Sequence, residues 1–422
     1  MFTAFSFFYP LPAYKGINYL RPVITALGTL AIGFFFFISA SAFPRDPEVM
    51  KRTLQIINWS GLVIILWSAV QAFSWYTLNR YPQWMFDLQG MISSRVLYRQ
   101  RVTGLALEPS WLAHQLNLLY LPFWLAASTM SFSSHKFRFL ALTLENFLLA
   151  AGIITLGLTL SRVGFLAFFC MAAAVFGVLH GRLVNRIQKW TDLKNKTGVD
   201  MVSKSRPSVI SAVLILVYIV ILSACLVFYS RFDPRMKSLF VFNFSQENFL
   251  LRYFNELRFG DRVIYWLAGW KIFEQYPLFG VGLGNAGFLI PTNIEPYGWS
   301  LLEVRRLIYR ESFLLNIKSL WFRLLGETGI IGFSFFIGVL VSLTGEYIKK
   351  FAEKKPIHQV LGFTGLLTLL ALVFEGFSID SFAMPYWWIS LGLASIIIQD
   401  DPKGMESQVG KKRLEKNNGK KN

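Results

Sequence analysis

The sequence predicts an all-α integral membrane protein: a polytopic helical bundle of about nine or ten transmembrane helices carrying one large extracytoplasmic loop. Three observations predict it. Of 422 residues, 54% are hydrophobic, with 41 Phe and 13 Trp, and the mean hydropathy is +0.46, which is too apolar for an ordinary soluble domain. The apolar residues fall in blocks of about 20, the length that crosses about 30 Å of hydrocarbon at 1.5 Å rise per residue. A transmembrane strand needs only about ten alternating residues, and these blocks are continuous, so helices satisfy the backbone and a barrel does not.

The blocks run over residues 23–43, 54–75, 112–130, 139–158, 162–180, 208–229, 319–345, 359–377 and 383–399. Their orientation follows from the short basic loops. Residues 181–207 hold seven Lys/Arg against two acids, and residues 345–357 hold four Lys against two Glu. The tail adds Lys403, Lys411, Lys412, Arg413, Lys416, Lys420 and Lys421. The positive-inside rule puts all three in the cytoplasm. The 230–317 segment then lies outside, together with 76–111, while the 44–53 and 131–138 turns lie inside. An odd number of spans leaves Met1 outside, which points to a tenth, irregular span or re-entrant piece in the first 22 residues, or to a truncated start. No basic region precedes the first apolar run, so a cleaved signal peptide is not expected.

Four regions result: an N-terminal bundle, 1–229; the outer loop, 230–317; the C-terminal helices, 318–399; and a Lys/Asn-rich tail, 400–422, read as disordered. The net charge of +18 sits mainly in the cytoplasmic loops and tail, where topology and anionic membrane lipids account for it. No nucleic-acid-binding signature accompanies it. Cys170 and Cys225 lie inside apolar spans, and His114, His135, His180 and His358 are scattered, so no metal site is readable and no cofactor is expected.

The outer loop carries the densest chemistry. Ten basic residues, among them Arg231, Arg252, Arg262, Arg305 and Arg310, face eight acids between 230 and 317. Topology does not ask for arginine outside, and arginine binds phosphate bidentately, so an anionic, phosphorylated ligand is implied; the alternative is a solvated surface paired with the acids. In DRVIYWLAGWKIFEQY, Val263, Trp266, Leu267 and Trp270 recur at helical spacing, which predicts a helix at the membrane interface. Arg262 then sits in its first turn, where N–H groups and the dipole favour an anion. Pro277 stops that helix, and Gly280, Gly282 and Gly284 follow, either as a structural turn or as a close backbone approach to a ligand. They match neither nucleotide-binding glycine spacing.

Further basic groups stand where spans meet the outer face. Lys318 opens the seventh span, facing headgroups or a substrate phosphate. Arg323 and Glu327 lie deeper, where ionisable groups are costly, and their i, i+4 spacing allows mutual neutralisation as well as function. Arg99, Arg101, Glu108 and His114 cluster near the third span, which Pro109 and Ser110 start. Arg162 begins the fifth. Outer turns remote in sequence thus present arginine at similar depth, as a pyrophosphate would require.

Taken in order, R-x-x-G-x-x-x-E-P-S (Arg101 to Ser110), L-S-R (Leu160 to Arg162), R-x-x-x-W with P-L-x-G-x-G-x-G (Arg262, Trp266, Pro277 to Gly284) and L-W-x-R-L-L-x-E-T-G-x-x-G (Leu320 to Gly332) resemble the O-antigen ligase and O-antigen polymerase family. The resemblance implies a bacterial inner-membrane glycosyltransferase of the GT-C type. Such an enzyme moves a glycan from undecaprenyl pyrophosphate to a sugar hydroxyl on another glycan, on lipid A core or, in some relatives, on a protein, at the outer face and without a metal. It makes Arg262 the essential arginine of the outer loop and Arg162 and Arg101 the arginines at helix ends; beside them, the glycine turn adds Gly282 and Gly284 as expected substrate contacts. One departure stands out: family members often carry His-Asn nine residues before the Glu of the E-x-G motif, and here Lys318 and Ser319 stand there. A lysine is normally charged and a poor base, so Lys318 is assigned to the phosphate beside Arg262. Glu108, Asp261 and His114 are left as candidate bases.

The expected reaction is a single displacement at the anomeric carbon, with fixed cations neutralising charge on the departing pyrophosphate. The rival reading is a transporter or flippase of lipid-linked oligosaccharide. It would place charge along a path through the membrane, whereas the spans are nearly free of charge apart from Glu145, Arg323, Glu327 and Glu375.

Overall fold

The computed structural model describes residues 11–93, 97–140, 142–196, 207–232 and 260–398. The nine expected spans fall mainly on helix: α1 (Leu20–Ala42), α2 (Pro47–Leu78), then, after the short α3 (Gln83–Ile92), the segment made of α4 (Pro109–Gln115), a π-helical turn (Leu116–Tyr120) and α5 (Leu121–Thr129), then α6 (Leu144–Thr159), α7 (Arg162–Lys196), α8 (Pro207–Phe232), α12 (Leu320–Ala352), α13 (Pro356–Glu375) and α14 (Pro385–Ser395). Five of these, α1, α2, α7, α12 and α13, are long and apolar enough by themselves to cross a membrane. The chain is a multi-pass, all-α membrane protein. The 400–422 tail and residues 1–10 of the expected re-entrant piece lie outside the described residues.

Helix starts are written locally. Asp46 caps α2 by accepting from the amides of Glu48 and Val49, with Pro47 at the first helical position. Proline also opens α4, α13 and α14. A short hairpin, β1 (Arg138–Phe139) against β2 (Leu142–Thr143), and a Thr143–Asn146 capping box lead into α6. Trp124 of α5 is fully buried against Gly61 of α2 and Gly152 of α6, where a Cβ would lie 2.6 and 2.7 Å from its ring. The small residues let three helices close around one indole.

Between α8 and α12 lies a second, smaller core. It is built by α9 (Gly260–Gln275), α10 (Ala286–Asn293), a 3₁₀ turn (Pro296–Ser300) and α11 (Leu302–Tyr309). Ile264, Tyr265, Ala268 and Ile272 of α9 pack on Val281, Ile290, Val304 and Ile317. Its protein-facing side is Ile264, Tyr265, Ala268 and Ile272, while Val263, Trp266 and Leu267 are half-buried and Trp270 is exposed. The expected stop holds, with α9 ending before Pro277.

Candidate functional site

Two turns join the smaller core to the bundle. The first is the glycine-rich turn after α9. Gly280, Gly282 and Gly284 all have positive φ (65°, 90° and 86°), which L side chains rarely adopt. The turn docks on a break inside α12, where Gly329 leaves helical geometry at φ 62°, ψ −169°. Four backbone bonds close the joint: Val281 N to Gly326 O (3.0 Å), Gly282 N to Glu327 O (2.9 Å), Ile330 N to Pro277 O (2.8 Å) and Ile331 N to Leu278 O (3.3 Å). A helix interrupted in mid-course leaves amides and carbonyls orphaned, and this turn supplies their partners. A Cβ at Gly280 would lie 2.4 Å from the Glu327 carbonyl carbon, and one at Gly329 the same distance from Leu278. At Gly284 the neighbour is the Pro22 carbonyl of α1, 2.5 Å away. The glycines read as possible substrate contacts thus spend their close approach on protein backbone.

The second turn, residues 375–380 between α13 and α14, carries no recognisable motif and gathers two of the arginines singled out above, Arg262 and Arg323. Its carbonyls do the gathering. Ser378 O accepts from Arg262 Nη1 at 3.3 Å, and Asp380 O accepts from Arg323 Nη1. Gly376 O accepts from the amide of Leu320 (2.8 Å) and from Ser319 Oγ (3.2 Å), so it satisfies the first turn of α12 directly after Lys318. Phe377 sits 5.6 Å from the Trp266 ring and 6.4 Å from Phe322, and Trp266 and Phe322 stack at 5.9 Å. Gly376 is required on the opposite side, since a Cβ there would lie 2.5 Å from Trp321 Nε1.

Arg262 lies in the first turn of α9, as predicted, and is half-buried. Arg323 pairs with Glu327 at 3.0 Å, so the i, i+4 neutralisation occurs. Both also line a polar cavity of about 490 Å³, with Arg21, Asn316 and Asp380 on its other walls. Lys318 adopts φ 55°. Its ammonium is engaged by the Glu303 carboxylate and lies 4.6 Å from the centre of the Tyr265 ring.

The 95–114 and 159–165 segments meet each other. Arg101 Nε donates to Thr159 O at 2.8 Å, and Val102 N to Leu158 O at 3.1 Å. Leu160 turns the chain through φ 50°, and α7 then starts at Arg162. Glu108 occupies the N-cap position of α4, half-buried, with Ser110 Oγ at 3.4 Å. Elsewhere in this outer segment, Tyr81 donates to Tyr98 O at 2.8 Å; burial, with Tyr76 nearby, pushes its phenol up to about 12.

His114, read as a candidate base, is fully buried. Its Nδ1 lies 2.7 Å from Glu375 Oε2. The imidazole therefore faces protein on all sides in this structure. The Asp261 side chain and the loop arginines 235, 252 and 258 lie outside the described residues.

The sequence reading missed the 375–380 carbonyls and Asn117. A carbonyl is present on every residue, so no residue type advertises it. Glu375 gave the one available signal, an ionisable group at the end of an apolar span.

The O-Antigen ligase family model matches residues 147–337. This stretch runs from α6 through the smaller core into α12 and includes Arg162, Arg262, Lys318, Arg323 and Glu327. It supports the family read from the motifs. Arg101, Glu108 and the 375–380 turn lie outside it. No curated protein matches the chain.

Proposed function

We propose that this member of the O-antigen ligase and polymerase family transfers a glycan from an undecaprenyl-pyrophosphate-linked donor to a sugar hydroxyl, on a growing glycan or on lipid A core. The site faces the extracytoplasmic side of the bacterial inner membrane. The family supports a membrane glycosyltransferase of ligase or polymerase type; donor, acceptor and side rest on the arrangement of charge.

One observation carries the reading. Arg262 from the outer loop and Arg323 from the bundle hold carbonyls two residues apart in a single turn, beside the helix start that follows Lys318. Fixed cations at the meeting of a loop core and a membrane bundle suit a ligand whose phosphates emerge from the bilayer. The leaving group is a pyrophosphate, so neutralising the charge that develops on its bridging oxygen is the main catalytic task. Arg262 serves that task, with Lys318 on the same phosphates once Glu303 yields it. No metal is required by this chemistry. Arg101 and Arg162 form the second basic edge, toward the 95–114 segment. Glu108, half-buried at the head of α4, is the carboxylate placed to accept the acceptor's proton. The glycines frame the site by fixing the loop core to α12.

Purified protein in vesicles, given lipid-linked oligosaccharide, should yield lengthened or transferred glycan and free undecaprenyl pyrophosphate. Movement of intact donor across the bilayer without either product would favour the transporter instead. Lys318→His tests the departure from the family: retained turnover makes the position an interchangeable phosphate ligand, and loss of turnover ties lysine to this chain's own site.

A further inference from the structure

Behind the turn that holds Arg262 lies a buried polar cluster outside every role assigned so far. Glu375, His114 and Asn117 are each fully buried. Asn117 Nδ2 donates to Glu375 Oε1 at 2.6 Å and to Gly164 O at 2.7 Å, while His114 Nδ1 and Glu375 Oε2 are 2.7 Å apart. Three elements meet here: α4 with its π-helical turn, the first turn of α7 two residues beyond Arg162, and the last residue of α13. Glu375 also anchors the turn by its main chain, its carbonyl accepting from the amides of Ser378 (2.8 Å) and Ile379 (2.9 Å).

Two features separate this cluster from a simple structural plug. Asn117 reaches Glu375 from a π-helical turn, Leu116–Tyr120, a departure from α geometry that is rare and concentrates at functional sites. The cluster is also incompletely paired: among the described residues His114 Nε2 and Asn117 Oδ1 have no hydrogen-bond partner. A second fully buried carboxylate shows the contrast. Glu145, at the opposite end of the bundle, accepts from Ser133 Oγ, Ser134 N, Ser134 Oγ and Asn58 Nδ2 and holds a loop with its acceptor capacity used. Buried polar groups that serve the fold alone are normally satisfied in that way.

We infer that Glu375, held by His114 and Asn117, is a positioning residue for glycan transfer: it fixes the 375–380 turn and, through the Ser378 carbonyl, the Arg262 guanidinium, in register with the start of α7 that carries Arg162. The inference rests on the transferase reading. It predicts that Glu375 acts through Arg262 and not beside it.

The test is a double-mutant cycle on turnover in vesicles with saturating lipid-linked donor. Displacing a charge-stabilising group by about 1 Å costs on the order of 100-fold in rate. Glu375→Ala should therefore lower kcat by about that factor with KM for the donor within about threefold. Glu375→Gln, which still accepts from Asn117, should recover most of the loss. In an Arg262→Lys background, Glu375→Ala should cost less than about fivefold more, because the two act as one unit. Additive losses, or full turnover in Glu375→Ala, would overturn the inference. Should Glu375→Ala not fold, Asn117→Ala carries the same cycle, with the same non-additivity expected and the same additive result against it. A wild type that releases no undecaprenyl pyrophosphate would overturn the transferase reading instead.

Discussion

The two turns that fasten the loop core to the bundle differ in how they do it. The 277–284 turn works by absence of side chains. Three residues sit at positive φ, and at Gly280 and Gly284 a Cβ would run into other backbone, which only glycine avoids. The 375–380 turn works by presence of carbonyls, which Arg262, Arg323 and Ser319 use as acceptors. The first is conspicuous in a sequence because its geometry forbids nineteen residue types. The second is invisible because almost any residue brings the same oxygen. A conspicuous motif therefore marks a geometric demand, and the demand here is structural.

Substitutions break or sharpen this contrast in a definite order. Gly329→Val combines a positive φ with a rigid backbone neighbour at 2.4 Å, and should cost more than about 3 kcal/mol or prevent folding, read as lost thermal stability in detergent. Gly280→Ala, with the same strain and a smaller side chain, should cost about 2–3 kcal/mol. Gly376→Ala belongs to the other turn and should be milder, about 1–2 kcal/mol; its φ is an ordinary −59° and its neighbour is the Trp321 indole, which can shift. Ser378→Ala keeps the carbonyl that holds Arg262 and should cost the least, within about 0.5 kcal/mol. If Ser378→Ala proved more damaging than Gly280→Ala, the account of the second turn as a set of carbonyls would fail.

A smaller effect should appear at alkaline pH. Because the Tyr81 phenol is pushed up to about 12 from 10.0, the folded state keeps a proton that the unfolded state loses. Stability contributed there falls as pH rises from 10 toward 12. Tyr81→Phe should flatten that part of the stability curve while costing about 1 kcal/mol at neutral pH.

Much of the fold was legible because the membrane makes it so. Blocks such as 359–377 and 319–345 read as helices from length and apolarity alone, and α13 and α12 occupy them. Arg262 in a first helical turn and the Arg323–Glu327 pair were legible from spacing. The buried face of α9 was not, because periodicity gives an apolar stripe but not the surface it packs on. Trp266 and Trp270 draw attention to one apolar stripe, and Ile264 and Tyr265 form the other, against the α11 and 315–317 side. The burial of His114 was hidden for a related reason. A histidine beside a span mouth looks like a base until its partner, Glu375, 261 residues away, is placed against it.

The most direct test of the account is glycan transfer by Arg262→Ala in vesicles, with protein shown to be inserted and folded as the wild type is. The account predicts that neither lengthened glycan nor free undecaprenyl pyrophosphate forms while the protein remains intact. Turnover at the wild-type rate would contradict it, and with it the claim that the outer loop and the bundle build one site around this arginine.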